Sequence, residues 1–408
     1  MFCFNTAMLN IKRHKQKGIL VVFISLLVVF FVFIYAGSII TNQSQYDNLP
    51  RELPVTARIE NHNGSQVVGL IISEQMIGKI KNSGFAKDLY YSTRMAANFS
   101  SMPDEKNALI NIQIRCVNDI EAVPNYKDRN LKLKNTVDTG FLHGKDALCI
   151  ADELFLQKND LAVGDTIALN IYGYLYDSST ERFRFVPLGS CSLLIVGSIS
   201  SSASVEDLST MDILCPIEWA KEKILEAGES FYYDSARFTV SDPMNLNAFK
   251  AAMKKCFLLP VDPLSDYSVA GIALRVQDET FIKTATRLKS SLTLLYAFAP
   301  VVFAVIALTG YAVSYLLMQS RRADIVIMRT LGTSRAACIA IMFLEFAVLG
   351  LAGAVLGTCC SAIFMGFTDL RALPVALLFI ASFMLGITGA AFKISRRTAM
   401  SGLVKVEV

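Results

Sequence analysis

The chain has 408 residues, 53% of them hydrophobic and only 18% charged, a balance that excludes an ordinary soluble globular protein and puts membrane spans first. Its formal charge is +4, from 39 Lys and Arg against 35 Asp and Glu. Residues 41–291 carry 26 against 31 and the remainder 13 against 4, so the basic excess belongs to the membrane part and excludes a nucleic-acid-binding reading.

Residues 1–17 read as a basic cytoplasmic tail with Lys12, Arg13, Lys15 and Lys17. Residues 18–40 are uncharged and match the roughly 20 apolar residues that cross a bilayer. They read as a retained anchor, because they exceed the apolar core of a leader, about 7–15 residues, and no A-x-A site follows. Residues 41–291 are expected to form one large extracytoplasmic domain. Within it, residues 67–72 read as a strand leading into a short helix that Ser73 caps. Met76, Ile77 and Ile80 lie on the apolar side of that helix, and Gly84 marks its stop. Ile110, Ile112, Ile114 and Cys116 alternate with Asn111, Gln113 and Arg115, as in a strand with one buried face. Helices are expected over 151–158 and 216–227. Asp152 and Glu153 suit a helix start, and Pro216 suits a first turn. A short strand over 238–240 precedes a helix that Asp242 caps and that runs to Phe257.

From Asp278 a helical pattern enters a second span, 292–318, with no Gly or Pro before Pro300; it reads as a stalk. A cytoplasmic loop over 319–335, a third span over 336–364, an outer turn over 365–372, a fourth span over 373–392 and a cytoplasmic tail over 393–408 follow. Arg321, Arg322, Arg329 and Arg335 sit in the loop, and Lys393, Arg396, Arg397 and Lys405 follow the last span. The bias of basic residues therefore puts both termini in the cytoplasm. Lys283, Arg287 and Lys289 lie on the outer side and read as the polar face of the stalk. The expected fold is a membrane α-helical protein of four transmembrane helices, with a large extracytoplasmic α+β domain of two lobes between helices 1 and 2.

Chemistry is sparse. There is no G-x-x-x-x-G-K-[ST], no G-x-S-x-G and no H-E-x-x-H, so no catalytic residue is expected and the chain itself reads as no ATPase. Cys116, Cys149, Cys191, Cys215 and Cys256 are an odd number at irregular spacing, allowing at most two disulfides; they read as small buried hydrophobes. Without a C-x-x-C pair, and with only His14, His62 and His143, no metal site is expected. The sequons at Asn63 and Asn98 matter only in a glycosylating host.

The patterned stretch lies at the cytoplasmic boundary, over 321–357. Ile325, Met328 and Leu331 form an apolar stripe on a short helix, with Arg322 and Arg329 as polar neighbours and Gly332 as its stop. Two readings stand: a basic loop whose apolar residues dip into the interface, or a docking helix for a cytoplasmic partner. The span after it holds Glu345, an intramembrane carboxylate with a functional or a structural role. It also holds Gly350, Gly353 and Gly357, the last two forming G-x-x-x-G, which lets helices approach closely within one subunit or across a dimer.

This stretch resembles the run R-x-x-E-I-a-I-L-R-s-L-G-a-s-r of FtsX/MacB-type permeases, the family that includes LolC and LolE. Asp324 stands where glutamate is usual and Met328 where leucine is usual, keeping charge and bulk. "LAVGDTIALNIYG" from Leu161 and "CSLLIVGSIS" from Cys191 resemble the family's outer domain, and the order of one span, a large outer domain and three spans agrees. The resemblance implies a permease subunit of an ABC transporter complex. Such a subunit passes ATP-driven motion from a separate ATPase, through Arg322, Asp324, Ile325, Met328, Arg329, Leu331 and Gly332, to its outer domains, for export or extraction of an envelope substrate. It further implies a plasma-membrane location, no cofactor on this chain, ATP and Mg on the partner, and a second permease copy or paralogue as neighbour. Membrane lipid, and either a membrane-fusion adaptor or an extracytoplasmic hydrolase, complete the implied partners. The alternative within the family is regulation of a cell-wall hydrolase; outside it, a membrane-anchored enzyme or receptor.

Overall fold

The computed structural model describes residues 2–101, 110–123, 126–134, 137–177, 179–180, 182–200, 211–268, 271–320, 322–365 and 373–397. The chain divides into two compact units: a helical unit of Met1–Leu49 with Lys283–Val408, and a mixed α/β unit of Pro50–Ile282, called the outer unit after its expected location.

The helical unit begins with α1 (Phe2–Arg13) and α2 (Lys15–Glu52) and continues with α7 (Glu279–Gln319), α8 (Arg322–Thr330), α9 (Arg335–Met365) and α10 (Leu373–Arg397). Among the described residues, the helices over Lys15–Glu52, Glu279–Gln319 and Ala336–Ile363 are long and apolar enough to cross a membrane; Ile380–Ala390 is a shorter apolar stretch of α10. Their core contains Val21, Val29, Ile306, Met342, Phe346, Phe383 and Ile387. At one end Lys393 Nζ stands 5.6 and 5.3 Å from the ring centres of Tyr311 and Tyr315, which stack on each other. Two features differ from the sequence reading. The expected tail is helical over Phe2–Arg13, with Lys12 and Arg13 in the last turn where the macrodipole favours cations, and Ala7 is buried. The first apolar helix also continues past residue 40 to Glu52. There its polar side chains bond along the helix, Asn42 Nδ2 to the Ser38 carbonyl (2.8 Å) and Gln43 Nε2 to Asp47 Oδ1 (3.0 Å).

The outer unit is built on β1 (Thr56–Asn61), α3 (Glu74–Asn82), β2 (Ala86–Phe99), β3 (Ile112–Val117), β4 (Leu131–Leu133), β5 (Leu148–Asp152), α4 (Glu153–Lys158), β6 (Thr166–Asp177), β7 (Arg182–Ile199), β8 (Ile213–Pro216), α5 (Ile217–Glu226), β9 (Ser235–Val240), α6 (Leu246–Lys255) and β10 (Ile272–Gln277). The strands form one hydrogen-bonded network in the order β10-β1-β9-β2-β3-β8-β5-β7-β4, with β6 paired to β2 and β7. Among the described strands, only β3–β8 and β5–β7 are parallel pairs. β2 holds the network together: its first half pairs with β9 and its second with β3 and β6. On one face Trp219, Ala220 and Ile224 of α5 are buried. Elsewhere Val117, Ile120, Leu142, Ile150, Ile199 and Leu214 form a second cluster. Under α6, Phe249 meets Phe238 and Phe85 with ring centres 6.1 and 6.3 Å apart.

Several local expectations come out differently, for identifiable reasons. Residues 67–72 are no strand: Gly69 takes φ +79, the Gln66 amide donates to the Val68 carbonyl (2.6 Å), and only Ile72 bridges to Tyr233. The helix expected from Ala151 starts at Glu153, because Ala151 and Asp152 pair with Ser198 and Ile199 of β7 and Asp152 is its extended N-cap. Pro216 ends β8 as the N-cap residue of α5 rather than lying in its first turn. Asp242 caps a short 3-10 turn, Pro243–Asn245, which leads into α6. Asn98 is fully buried, which puts its sequon out of reach.

Candidate functional site

The stretch over 321–357 folds as α8, a turn and α9. The backbone of α8 closes through Leu331 N to Ile327 O and Thr333 N to Met328 O, both 3.1 Å, and Gly332 at φ +91 supplies the left-handed residue that ends it. Ser334 then starts α9, its hydroxyl accepting from Ala337 N at 3.2 Å. Helix, glycine stop and restart are thus all fixed by local chemistry.

The apolar side chains of α8 divide between two environments. Met328 packs against the helical core, whereas Ile327 is 56% exposed and Leu331 80% exposed. Met328 is therefore the anchor of α8 and no free knob. Ile327 and Leu331, one turn apart, form the exposed apolar edge; Leu331 belongs to the stripe expected from the sequence and Ile327 does not. Arg321 and the side chains of Arg322, Ile325, Arg329 and Arg335 lie outside the described residues, as do residues 366–372 of the expected outer turn and 398–408 of the tail.

The junction of α1 and α2 contributes to the same region. His14 Nε2 lies 3.4 Å from Asp324 Oδ2, an ion pair when the imidazole is protonated, and Lys17 Nζ donates to Ser320 Oγ at 2.8 Å. Both α1 and α8 pack on α9. No spacing rule in the sequence joins residues so far apart in the chain.

Farther along α9, Glu345 is fully buried in the helical unit, beside Phe346 and Met342 of its core. The three glycines are contact points. A Cβ on Gly350 would stand 2.9 Å from the Phe383 ring of α10, on Gly353 2.6 Å from Ser25 Cβ and the Val22 carbonyl oxygen of α2, and on Gly357 2.9 Å from the Leu26 carbonyl oxygen. The G-x-x-x-G pair therefore receives α2 of the same chain. Gly310 and Gly386 do the same service between α7 and α10, where a Cβ on Gly386 would stand 2.3 Å from the Ala307 carbonyl oxygen. Glu345 precedes the three glycines on the same helix.

No protein-family model matches the chain, and no curated protein matches it. Solved structures do. The chain is similar to the periplasmic region of MacB from Actinobacillus actinomycetemcomitans, with a TM-score of 0.34 and 10% identity over 57% of this chain and 92% of that one. It is similar to the extracellular domain of YknZ, a noncanonic ABC-type transporter from Gram-positive bacteria, with a TM-score of 0.30 and 11% identity over 49% and 92%. It is also similar to a domain of a putative permease protein from Porphyromonas gingivalis, with a TM-score of 0.26 and 14% identity over 55% and 86%.

The motif that resembles the family's outer domain can be placed as well. Gly164 at φ +111 donates its N–H to the Ile195 carbonyl (2.9 Å), and Asp165 Oδ2 accepts from Ala162 N (2.8 Å). This glycine-aspartate turn fastens the end of α4 to β7 and starts β6.

Proposed function

We propose that the chain is the transmembrane permease subunit of an ATP-driven complex of the FtsX/MacB type, coupling a separate cytoplasmic ATPase to its outer domain for export or extraction of an envelope substrate. The observation that carries this reading is α8. It is a short helix anchored by Met328 in the helical core, stopped by Gly332, and open to a partner along Ile327 and Leu331. A helix held on one side and free on the other transmits force between a partner and the bundle without breaking the bundle's own packing. The glycine contacts of α9 support the next step, because Gly353 and Gly357 set α9 against the main chain of α2 and Gly350 receives the Phe383 ring of α10, leaving little slack to absorb a displacement.

In this reading α10 is a fourth span, both termini lie in the cytoplasm, two permease copies or paralogues act together, and α2 and α7 carry motion to an outer domain of two lobes that share β2. The chain supplies no ATP-binding residues; ATP and Mg belong to the partner.

The test is the double variant Ile327→Asp with Leu331→Asp. It should lose co-purification of the ATPase from native membranes, or lose coupling of ATP hydrolysis to outer-domain motion, while α8 stays docked through Met328. Unchanged ATPase association and unchanged coupling would remove the docking role of α8.

A further inference from the structure

We infer that a cleft on the outer unit, at the β10-β1-β9-β2 side of the sheet, binds a phosphate-bearing ligand, with Arg58, Arg237 and Lys127 as its cations and Tyr90 and Tyr126 as its aromatic walls. The cleft encloses about 560 Å³, within the ordinary range for small-molecule sites. It lies wholly within the outer unit and is independent of the permease reading.

The strand register shows why the site is unusual. Arg58 is the cross-strand partner of Arg275 on β10 and of Arg237 on β9, and Arg237 is in turn the partner of Tyr90 on β2. Antiparallel partners project from the same face, so three guanidinium groups stand side by side across three adjacent strands. Like charges placed directly opposite destabilise a sheet. A sequence selected for sheet stability alone would not put arginine at all three positions.

Only part of this charge is answered from within. Glu60, fully buried, gives one carboxylate oxygen to Arg58 Nε and the other to Arg275 Nε at 2.6 Å. Among the described residues, no carboxylate pairs with Arg237. Its guanidinium donates to the Glu121 main-chain carbonyl and lies 5.5 Å from the centre of the Tyr90 ring. The Glu121 carboxylate is itself occupied, accepting from the Tyr90 hydroxyl at 2.7 Å and from the Tyr126 hydroxyl at 2.8 Å. The Tyr90 bond and then the Tyr126 bond hold Glu121 below its usual carboxylate range, and burial with the Glu121 bond pushes Tyr90 up. Lys127 stands 5.8 Å from the Tyr126 ring centre. Among the described residues, neither Arg237 nor Lys127 has an ion-pair partner. Asp88 and Asp119 act on Tyr90 from outside the lining, and Asp119 is spent on the Glu121 N–H at 2.8 Å.

The lining therefore offers three cations against one carboxylate that two tyrosines already hold. Such a surplus fits the double charge of a phosphate monoester. The guanidinium forks match phosphate oxygens in pairs, lysine adds a point charge, and the tyrosine rings exclude water from one side. Phosphate of this kind comes from a lipid headgroup or from a free phosphorylated solute, and the two sources are separable by experiment.

The experiment is isothermal titration of the full chain, purified in a maltoside detergent, with glycerol 3-phosphate and with a short-chain phosphatidic acid, which carries the same phosphate monoester on a lipid, at fixed ionic strength. Saturable binding of at least one is expected, and Arg237→Gln and Lys127→Gln should each weaken it, the arginine change by roughly tenfold or more. Arg237→Lys should fall between wild type and Arg237→Gln, and Lys255→Gln, on α6 and outside the cleft, should leave binding unchanged. Tighter binding of the phosphatidic acid than of glycerol 3-phosphate would assign the site to a lipid headgroup; equal or weaker binding would assign it to a free phosphorylated solute. No saturation by either below about 10 mM, or the same affinity in Arg237→Gln and Lys127→Gln as in wild type, would overturn the proposal. A melting curve for each variant separates lost binding from lost folding.

Discussion

Gly353 and Gly389 are helical glycines of the same bundle with different surroundings. A Cβ on Gly353 would stand 2.6 Å from Ser25 Cβ and from the Val22 carbonyl oxygen, and a main-chain oxygen cannot turn aside. On Gly389 the nearest atom would be Tyr311 Cδ2 at 3.6 Å, an ordinary contact. Alanine favours a helix over glycine by about 1 kcal/mol at both sites, but at Gly353 the overpacking term of about 1–3 kcal/mol outweighs it. Gly353→Ala should therefore lower the melting temperature of the detergent-solubilised chain, whereas Gly389→Ala should leave it unchanged or raise it. Equal shifts would mean that the contact between α2 and α9 is looser than these distances. The spacing of Gly353 and Gly357 made close helix packing legible, but a spacing names no partner, so α2 could not be read from it. Similarly, Ile325, Met328 and Leu331 were read as one stripe. Positions three apart rotate by about 60° at each step, so the first and third are far around the helix from each other. Met328 accordingly turns inward while Leu331 stays out.

At the scale of single elements, α4 shows how a capping residue decides where a helix begins. Asp152 is nearly buried at the end of β5, and its Oδ1 accepts from Leu154 N at 2.9 Å and Phe155 N at 3.4 Å. Removing that oxygen leaves two N–H groups in a largely dry site. Asp152→Ala should cost about 1–2 kcal/mol in denaturant unfolding, and Asp152→Asn, which keeps the acceptor, clearly less. A cost that is the same for both would shift the role of Asp152 from its cap bonds to its charge. Caps are written into neighbouring residues, which is why Ser73 and Gly332 were legible; Asp152 was read at the helix start for its charge and not as the cap that sets it. The bend over 67–72 was not, because Val67, Val68, Leu70, Ile71 and Ile72 look like a strand while Gly69 and the Gln66 amide decide otherwise. The Arg275–Arg58–Arg237–Tyr90 row was invisible for a further reason: it exists only once β10, β1, β9 and β2 are placed side by side.

At the scale of the molecule, four apolar stretches and the basic bias gave the division into a helical and an outer part, whereas the strand order is nonlocal and had no sequence signature. The outer cysteines report on how that sheet holds together. Cys116 on β3 and Cys215 on β8 are register partners, Cys149 lies on the neighbouring β5, and all three are fully buried. Burial pushes the Cys149 thiol up to about 12 and raises Cys215 well above the ordinary range. A thiol reagent needs the thiolate and access to it. At pH 8 the native chain should therefore resist labelling at these three positions until the sheet opens. Cys256, at the end of α6, sits near the opposite end of the strand order and is also buried. The two ends are joined through Ser92 of β2, which is the partner of Ser235 on β9 and of Val117 on β3 and whose hydroxyl donates to Asp234 Oδ1 at 2.6 Å. Because one strand serves both halves, opening one half strips pairing from the other. Labelling of Cys215 and Cys256, followed by mass spectrometry across a denaturant series, should show a single shared midpoint. Two separate midpoints would mean that the halves of the outer unit open independently and that β2 does not couple them.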